Sequence, residues 1–333
     1  MNRSFTRFAI LGGDGVFGIH MAKHLLEICD TSRVICVGRN QRKPLHYSLG
    51  IGEGDPRFSY VQAHLVHEPD ILLRILDEEM PECIINFAAL AYATSWNDSF
   101  RYYDTNVVAL ARLTEAIRSR SYFKHWMQIG SSEVYGTSLD GACKEDGSVN
   151  PSSPYAVSKL AGDLHLKTYA EAGFPTNVIR PSNAYGPGQQ LYRLIPKAAF
   201  CALTGRRFPL EGGGVAQKSW LHASDLASAI DHIIKFAPSG EIYNAGPLEA
   251  TSIRRIVELV AQECGIAFDD LIETAPARLA EDQLYLLDTT KIRDQLGWAP
   301  SVNLEDGVRE VVQWVRDNLE VLHREPRQYS LRS

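Results

Sequence analysis

Short runs of apolar residues alternate with longer amphipathic stretches through the first 180 residues of the chain. Some of these runs, such as Phe8–Leu11, are apolar at every position rather than at every second one. Strands of this composition are buried on both faces, and strands that alternate with helices form parallel sheets covered by those helices. The pattern predicts an α/β protein built on a doubly wound parallel sheet.

The alternation becomes irregular after Arg180, where loops rich in turn-forming residues follow one another. A helix after "SWLH" is predicted to begin at a Ser224 cap. The other helices predicted in this part are Leu194–Leu203, Thr251–Cys264 and Leu304–Asn318.

These later segments are expected to form a smaller, interleaved C-terminal domain. In this division, residues 1–180 and 217–246 bind a dinucleotide, whereas residues 181–216 and 247–333 bind the substrate. The cleft between the second domain and the sheet is the expected substrate site, because ligand sites favour such domain boundaries.

The segment "LGGDGVFG" follows the first predicted strand directly and opens a helix. Its spacing, G-x-x-G-x-x-G, allows a tight turn whose backbone N–H groups and helix N-terminus can hold a pyrophosphate. We therefore predict a Rossmann-type dinucleotide site. The residues of this turn predicted to contact the cofactor are Gly12, Gly15, Val16, Phe17 and Gly18.

The residue after the second strand indicates which dinucleotide is bound. NAD sites usually have an acid about 20 residues after the glycine turn, where it binds the ribose hydroxyls. That position falls in "VGRN", which offers Arg39 and no carboxylate. Because Arg39 can pair with a 2′-phosphate, NADP is favoured over NAD.

Composition argues against several classes of function. A formal net charge of -6 gives no basic surface for nucleic acid. No apolar run reaches the roughly 18 residues of a membrane span, and no signal peptide precedes the first strand. The six cysteines form no C-x-x-C pair, and His20 and His24 have no evident third ligand. We expect a cytoplasmic protein with reduced cysteines, no metal and no membrane partner.

Tyr155 and Lys159 lie four residues apart near a predicted helix start in "SPYAVSKLAGDL". At this spacing both side chains project from one face of the helix. A free tyrosine has a pKa of about 10, and a neighbouring ammonium group favours its ionised form. We therefore expect Lys159 to depress the pKa of Tyr155, so that Tyr155 can accept a proton from a hydroxyl group.

Five segments occur in a characteristic order between about Phe8 and Trp314: "GGDGVFG", "NFAA", "IGSSEVYG", "SPYAVSK" and "RPSNAYGPGQ". As a set they resemble the extended short-chain dehydrogenase/reductase family, the NAD(P)-dependent nucleotide-sugar epimerases and dehydratases. The resemblance implies an enzyme of nucleotide-sugar metabolism. It also implies a homodimer formed through a four-helix bundle of the helices Ser99–Arg118 and Pro154–Ala172.

By this resemblance, Ser131 shares the C4 hydroxyl of the sugar with Tyr155, and Lys159 holds the nicotinamide ribose. Glu133 resembles the base of the 4,6-dehydratases. In that reaction C4 is oxidised, the base removes the C5 proton, water leaves from C6, and the hydride returns to C6. A 4,6-dehydratase of a nucleotide-activated hexose is the leading prediction.

The triplet Ser131-Ser132-Glu133 departs from the Thr-Asp-Glu of glucose-type dehydratases and is closer to the Thr-Ser-Glu of GDP-mannose 4,6-dehydratases. Because NDP-uronate decarboxylases and 4-keto-sugar reductases share a hydroxyl-Ser-Glu triplet, both remain alternatives. A 4-epimerase that uses the same Ser131, Tyr155 and Lys159 is a further alternative. A catalytically silent NAD(P)-binding regulatory protein is the alternative from another class.

The resemblance assigns further residues. Ala63-His64-Leu65 replaces the family's Gly-Asp-Leu, so the usual adenine-contacting aspartate is absent. The further residues expected at the cofactor are His64, Leu65 and Ala88, and those expected at the substrate are Tyr92, Ser95, Asn183, Lys218 and Arg278.

Overall fold

The computed structural model describes residues 3–90, 98–138, 141–277 and 284–326. The elements of the first half are β1 (Arg7–Leu11), α1 (Val16–Ile28), β2 (Arg33–Gly38), α2 (Leu45–Ser48), β3 (Phe58–Gln62), α3 (Pro69–Glu79), β4 (Cys83–Asn86), α4 (Phe100–Tyr103), α5 (Ala109–Ile117), β5 (His125–Ile129), α6 (Pro154–Glu171) and β6 (Thr176–Pro181). A π-helical turn, Asp104–Val108, joins α4 to α5, and a 3-10 turn covers Ser132–Tyr135.

Shorter elements dominate the second half. They are β7 (Asn183–Tyr185), α7 (Leu194–Leu203), β8 (Phe208–Glu211), β9 (Gln217–Lys218), β10 (Trp220–His222), α8 (Ala223–Phe236), β11 (Ile242–Ala245), β12 (Thr251–Ser252), α9 (Ile253–Cys264), α10 (Phe268–Leu271), β13 (Ile272–Ala275), β14 (Leu284–Tyr285), α11 (Thr290–Leu296), α12 (Leu304–Asp317) and α13 (Leu319–Leu322). A 3-10 turn, Gly212–Gly214, follows β8.

Seven parallel strands form the central sheet in the order β11-β6-β5-β4-β1-β2-β3. The chain order runs one way from β1 through β2 to β3 and the other way from β1 through β4 to β6. The switch between β1 and β4 opens a crevice at the carboxyl ends of these strands, where ligands bind in such sheets. The predicted Rossmann-type doubly wound fold is confirmed.

Both faces of the sheet are buried, because side chains alternate along each strand. Ile10 of β1 packs on one face with Leu25 of α1 and Ile230 of α8. Its neighbours Ala9 and Leu11 pack on the other face against α3, α5 and α6. A shift of register by one residue would exchange these two sets, and burying one such side chain is worth about 1.5–3 kcal/mol.

A separate core lies outside the sheet, where Ile195 of α7, Val260 of α9 and Val311 of α12 pack together. These helices fall within the ranges predicted for the substrate domain. Ile292 and Trp298 also fall within residues 247–333, but they pack with the core of the sheet. The predicted domain boundaries stay a prediction, and α11 lies on the sheet side of them.

The glycine turn is held against neighbouring backbone. Gly12 has φ +73°, a conformation that favours glycine, and a Cβ there would lie 2.8 Å from the backbone nitrogen of Ala88. A Cβ on Gly18 would lie 2.7 Å from the carbonyl oxygen of Gly12. The first and last glycines of the motif therefore allow the turn to pack on the loop after β4 and on α1.

One local prediction was wrong. Helix α8 begins at Ala223 rather than at a Ser224 cap, and its N-cap is His222. The Nδ1 atom of His222 accepts a hydrogen bond from the backbone N–H of Ser224, at 3.4 Å. An imidazole nitrogen thus does what a serine oxygen was expected to do. The short strands β7, β9, β12 and β14 were not predicted, because two or three residues carry no periodicity.

Helix α6 is joined to β6 by a buried ion pair. The Asp163 Oδ2 atom lies 2.8 Å from Arg180 Nε, and both side chains are almost fully buried. Arg180 Nη1 also donates to the hydroxyl of Tyr135, which donates in turn to Asn244 Oδ1, each at 2.8 Å. This network connects α6, β6, the 3-10 turn after β5 and β11.

Replacing Asp163 by Asn is expected to lower the free energy of unfolding by about 3–5 kcal/mol, because it leaves a buried guanidinium without its counter-charge. Urea denaturation followed by circular dichroism measures the change. Asp77→Asn is the control, since Asp77 pairs with Arg120 at 2.8 Å on the surface. This control should change stability far less. Equal effects from both substitutions would contradict the importance given to the buried pair.

Candidate active site

Ser131 lies two residues beyond the carboxyl end of β5, the strand next to the central strand β4. It is the N-cap of the 3-10 turn, and its Oγ atom accepts a hydrogen bond from the backbone N–H of Glu133 at 3.2 Å. Ser131 and Ser132 are both buried. By capping the 3-10 turn, Ser131 holds the backbone of Glu133 next to itself.

Tyr155 and Lys159 occupy the first turns of α6. Ser153 caps this helix by accepting from the backbone N–H of Ala156 at 3.1 Å. Ser131 forms a side-chain hydrogen bond with Tyr155. Lys159 Nζ donates to the carbonyl oxygen of Ile129, the last residue of β5. The helix start and the strand end are thus joined at the two predicted catalytic side chains.

The pKa of Tyr155 is raised, mainly because its phenol is buried and secondly because the Glu133 carboxylate is near. The hydrogen bond from Ser131 and the charge of Arg193 act in the opposite direction. Burial also lowers the pKa of Lys159 to about 8, against the opposing effect of Asp163. The predicted depression of the Tyr155 pKa by Lys159 was wrong for the groups of the chain itself, because burial and the Glu133 carboxylate outweigh Ser131 and Arg193, and Lys159 is not among the groups that shift this pKa.

Two cavities meet at the carboxyl edge of the sheet. The larger cavity, of about 430 Å³, is lined by the five predicted catalytic residues together with residues of the separate core outside the sheet. The smaller cavity, of about 340 Å³, lies at the N-terminus of α1. Residues common to both linings are Phe17, Phe87, Ala89, Tyr192 and Arg193. The two cavities are therefore adjacent. One elongated ligand can extend through both, or two ligands, one in each cavity, can contact each other.

The smaller cavity collects every residue predicted to bind the cofactor outside α6. They are Gly12, Gly15, Val16, Phe17, Gly18, Arg39, His64, Leu65 and Ala88. The first N–H groups of α1 have no partner within the helix and face this space, which suits a pyrophosphate. The absence of Cβ atoms at Gly12 and Gly18 lets the turn pack directly on Ala88 and on its own backbone at the edge of this cavity.

Asp14 and Lys43 also line the smaller cavity and were not predicted. Asp14 Oδ1 accepts from the backbone N–H of Lys43 at 3.0 Å, and Lys43 Nζ donates to the carbonyl oxygen of Asp14 at 2.7 Å. Burial raises the pKa of Asp14. A charged residue inside a glycine turn was the available sequence signal.

Asn106 is a further residue that sequence reasoning missed. It lies in the π-helical turn, where its Oδ1 atom accepts from Leu90 N at 3.1 Å. Its Nδ2 atom donates to Ser158 Oγ at 2.9 Å, and Ser158 Oγ donates to the carbonyl oxygen of Tyr155 at 2.7 Å. Asn106 thus ties the loop after β4 to the helix that carries Tyr155. A polar residue on the buried side of an amphipathic helix was its signal.

The predicted substrate residues divide into two groups. Asn183 of β7 and Lys218 of β9 line the larger cavity together with the predicted catalytic residues. Tyr92, Ser95 and Arg278 lie outside the described residues. Arg193, at the junction of the two cavities, is a cation that the sequence did not single out.

No helix within the described part of the chain is both long enough and apolar enough to cross a membrane. Residues 3–90, 98–138, 141–277 and 284–326 also contain no group of three or more His, Cys, Asp or Glu side chains placed to hold a metal ion.

Comparison with known proteins identifies the family. A family model described as GDP-mannose 4,6 dehydratase matches residues 9–311. A dTDP-glucose 4,6-dehydratase of Streptomyces niveus is 35% identical over 239 residues, which are 71% of this chain and 70% of the relative. The low-salt glycan biosynthesis protein Agl12 of Haloferax volcanii is 30% identical over 312 residues, covering 92% of this chain and 97% of the relative.

A solved structure agrees with the sequence relatives. The crystal structure of a dTDP-glucose 4,6-dehydratase from Bacillus anthracis, in complex with NAD, superposes with a TM-score of 0.85 at 29% identity. The match covers 95% of this chain and 98% of that one. The motifs, the fold and these matches agree, and the chain belongs to the GDP-mannose 4,6-dehydratase family of extended short-chain dehydrogenases/reductases.

Proposed function

We propose that the protein is an NAD(P)-dependent 4,6-dehydratase of a nucleotide-activated hexose. The observation that carries the proposal is the shared cavity: Glu133, a carboxylate, lines the same space as Ser131 and Tyr155. Epimerisation at C4 needs no such base, whereas elimination across C5 and C6 does. The names of the relatives agree with the reaction predicted from the serine-serine-glutamate triplet.

Tyr155 is the proton acceptor for the C4 hydroxyl in this proposal, and Ser131 orients the same hydroxyl. The dinucleotide held in the smaller cavity supplies the hydride acceptor and donor. A positive charge placed beside a buried phenol lowers its pKa. Because burial and Glu133 raise the pKa of Tyr155, proton acceptance at its oxygen depends on the cations around it, which include Arg193.

Glu133 acts at C5, where the proton becomes acidic once C4 is a carbonyl. Its backbone N–H is bound to Ser131 Oγ at 3.2 Å, so the base and the C4 site move as one unit. Ser132 takes the place of the aspartic acid found in glucose-type dehydratases and can donate a hydrogen bond to the C6 hydroxyl. Glu133 carries the proton that it has taken from C5. Because a serine hydroxyl is too weak an acid to give up its proton, only Glu133 of the three residues can protonate the leaving hydroxyl.

The diphosphate of the nucleotide sugar is expected to lie between the edge of the sheet and the separate core outside it. Asn183, Arg193 and Lys218 line the larger cavity there and offer one amide donor and two cations to about two negative charges. The apolar side chains of Ile195 and Phe208 line the same cavity. They provide a surface for the nucleotide base.

Glu133→Gln is expected to keep reduction of bound cofactor by the nucleotide sugar, but to slow elimination by about 10²–10⁴-fold, the usual contribution of a general base. Turnover of a panel of nucleotide sugars in deuterated water, read by NMR, measures both steps. Deuterium at C5 with loss of the C6 oxygen identifies the dehydratase.

Other outcomes of this experiment are equally clear. Elimination at the wild-type rate in the variant would falsify the role of Glu133. For the wild-type protein, inversion at C4 without solvent label indicates the epimerase alternative, and release of carbon dioxide indicates the decarboxylase. Reduction of a 4-keto sugar indicates the reductase, and absence of any turnover favours the regulatory protein.

We propose NADP as the preferred cofactor. Arg39 and Lys43, two cations, line the smaller cavity beyond the end of β2, where the adenosine ribose lies in such sheets. Asp14 favours the alternative, NAD. Its Oδ1 atom accepts from Lys43 N, and no described residue bonds its second carboxylate oxygen. That oxygen can accept a hydrogen bond from a ribose hydroxyl. Relatives solved with NAD support the dinucleotide in general.

Arg39→Ala is expected to weaken NADP binding by about 10- to 100-fold, the value of a hydrogen bond to a charged group, and to change NAD binding little. Titration calorimetry with each dinucleotide measures the ratio. Arg42→Ala is the control, since Arg42 bonds the carbonyl oxygen of Ile51 and does not line either cavity. A wild-type preference for NAD that Asp14→Asn abolishes would establish the alternative.

A homodimer through the predicted four-helix bundle also remains a proposal. Phe100 of α4 and Leu164 of α6 are 62% and 53% exposed, and Val108 and Val157 are exposed beside them. The two helical segments pack against each other through Asn106 and Gly162. Apolar side chains on two adjacent helices present a surface that a second copy of the same pair can cover.

Leu164→Lys is expected to convert the dimer to a monomer at micromolar concentrations, because the interface would bury an unpaired ammonium group. Sedimentation velocity measures the change. Ile71→Lys is the matched control, since Ile71 is 41% exposed on α3, which is not one of the two helical segments of the proposed interface. A wild-type protein that sediments as a monomer would refute the dimer.

A further inference from the structure

The side-chain amide of Gln128, near the end of β5, has an orientation that its neighbours fix. The indole N–H of Trp126 can only donate a hydrogen bond, and it lies 3.0 Å from Gln128 Oε1. The atom of Gln128 that meets the indole is therefore the amide oxygen, which leaves the nitrogen, Nε2, as a donor to other groups. Trp126 is fully buried and Gln128 almost so, which makes each of these hydrogen bonds costly to lose.

The same oxygen fixes Asn86, the residue paired with Gln128 between β4 and β5. Asn86 Nδ2 donates to Gln128 Oε1 at 3.0 Å, and Asn86 Oδ1 accepts from the backbone N–H of Ala88 at 3.1 Å. Ala88 lines the smaller cavity, and its backbone is the surface on which Gly12 packs. Through two amides, the indole of Trp126 thus determines the place of the loop after β4.

The nitrogen of Gln128 reaches the other half of the site. Gln128 Nε2 donates to the carbonyl oxygen of Ile129 at 3.4 Å, and Lys159 Nζ donates to the same oxygen. A carbonyl oxygen has two lone pairs and can accept both donors, so the two nitrogens are close neighbours. Gln128 itself lines neither cavity. It can act on the site only through the groups that it holds.

The charge of Lys159 depends on few neighbours. Burial lowers its pKa to about 8, and Asp163, one helical turn further along α6 and paired with Arg180 of β6, opposes this effect. The other charged or titratable side chains that line the larger cavity with Lys159 include Glu133, Tyr155, Arg193, Lys197, Glu211 and Lys218. The neutral amide of Gln128 therefore offers Ile129 a second donor without adding a counter-charge for the ammonium group.

We propose that Gln128 is a positioning residue of the reaction, which places the loop after β4 at one cavity and the carbonyl acceptor of Lys159 at the other. The polarity of its amide is essential to this role, because an acceptor in the place of Nε2 would face the oxygen of Ile129 and attract Lys159 instead. The role in catalysis rests on the proposed function, in which Lys159 holds the nicotinamide ribose, as the family resemblance implies.

Gln128→Glu tests the polarity, since glutamate has the same shape and keeps an acceptor for Trp126 but replaces the donor by a second oxygen. An ionised carboxylate beside Lys159 favours the ammonium form. The pH at which Lys159 loses its proton is therefore expected to rise by about one pH unit or more. NMR of protein with 15N-labelled lysine measures this titration, and Lys159→Met assigns the signal by its loss.

Asn177→Asp is the matched control for this change. Asn177 is a fully buried amide near the start of the neighbouring strand β6, where it donates to the carbonyl oxygens of Pro238 and Glu241, and it lines neither cavity. The same amide-to-acid change there should leave the titration of Lys159 as in the wild type. An unchanged titration in Gln128→Glu, or an equal rise in Asn177→Asp, overturns the proposal.

Gln128→Met provides a second measurement, because it removes both the oxygen and the nitrogen of the amide. Asn86 and Trp126 then lose their acceptor, so the affinity for the dinucleotide, measured by titration calorimetry, is expected to fall about tenfold. Asn177→Leu should stay within about threefold of the wild type at a similar loss of thermal stability, and equal losses of affinity in both variants would refute the positioning role. A wild-type protein that binds neither dinucleotide would refute the proposed function instead, whereas the Lys159 titration would still decide the contact with Gln128.

Discussion

Helix α6 carries both Tyr155 and Lys159, and its position depends on the buried pair of Asp163 and Arg180. Buried ion pairs add little net stability, because desolvation of the two charges offsets their attraction, but removing one partner is costly. The pair therefore specifies geometry more than it stabilises the fold. Asp163 lies one helical turn after Lys159, so the carboxylate that fixes the helix also opposes the effect of burial on the Lys159 pKa. One acidic residue thus sets the place of the catalytic helix and favours the charged state of its lysine.

The crevice itself follows from the strand order. Because the strand order reverses at β1, the helices that follow β1 and β4 lie on opposite faces of the sheet, and a crevice forms at the carboxyl ends of these strands. Gly12 lets the two loops touch through backbone alone. The cavity proposed for the cofactor lies toward β2 and β3, and the cavity proposed for the reaction lies toward β5 and α6. The hydrogen bonds of Asn106 connect the loop after β4, at Leu90, to helix α6, at Ser158.

Much of this could be predicted from the sequence, because the relevant signals are local. Apolar runs gave the strands, the glycine spacing gave the dinucleotide turn, and the triplet after β5 indicated the reaction. Signals that depend on distant residues were not accessible. The pKa of Tyr155 is set by burial and by Glu133 and Arg193, which lie 22 and 38 residues away along the chain. The role of Asn106 appears only when a π-helical turn aims its amide at the loop after β4. The His222 cap failed for a simpler reason: histidine is not an expected N-cap residue.

The two side chains proposed as proton acceptors are linked through Ser131, which bonds the backbone of Glu133 and the phenol of Tyr155. A phenolate and a carboxylate in one buried cavity repel each other, so each is easier to ionise when the other is neutral. Once Tyr155 has taken a proton from the C4 hydroxyl, its oxygen is neutral and Glu133 can remain ionised at no further electrostatic cost. The C5 proton becomes acidic only once C4 has been oxidised, so the proposed base acts after the first proton transfer. The order of the proposed reaction is therefore favoured by the charges of the site, since the product of the first proton transfer is the state in which the second base is most easily kept charged.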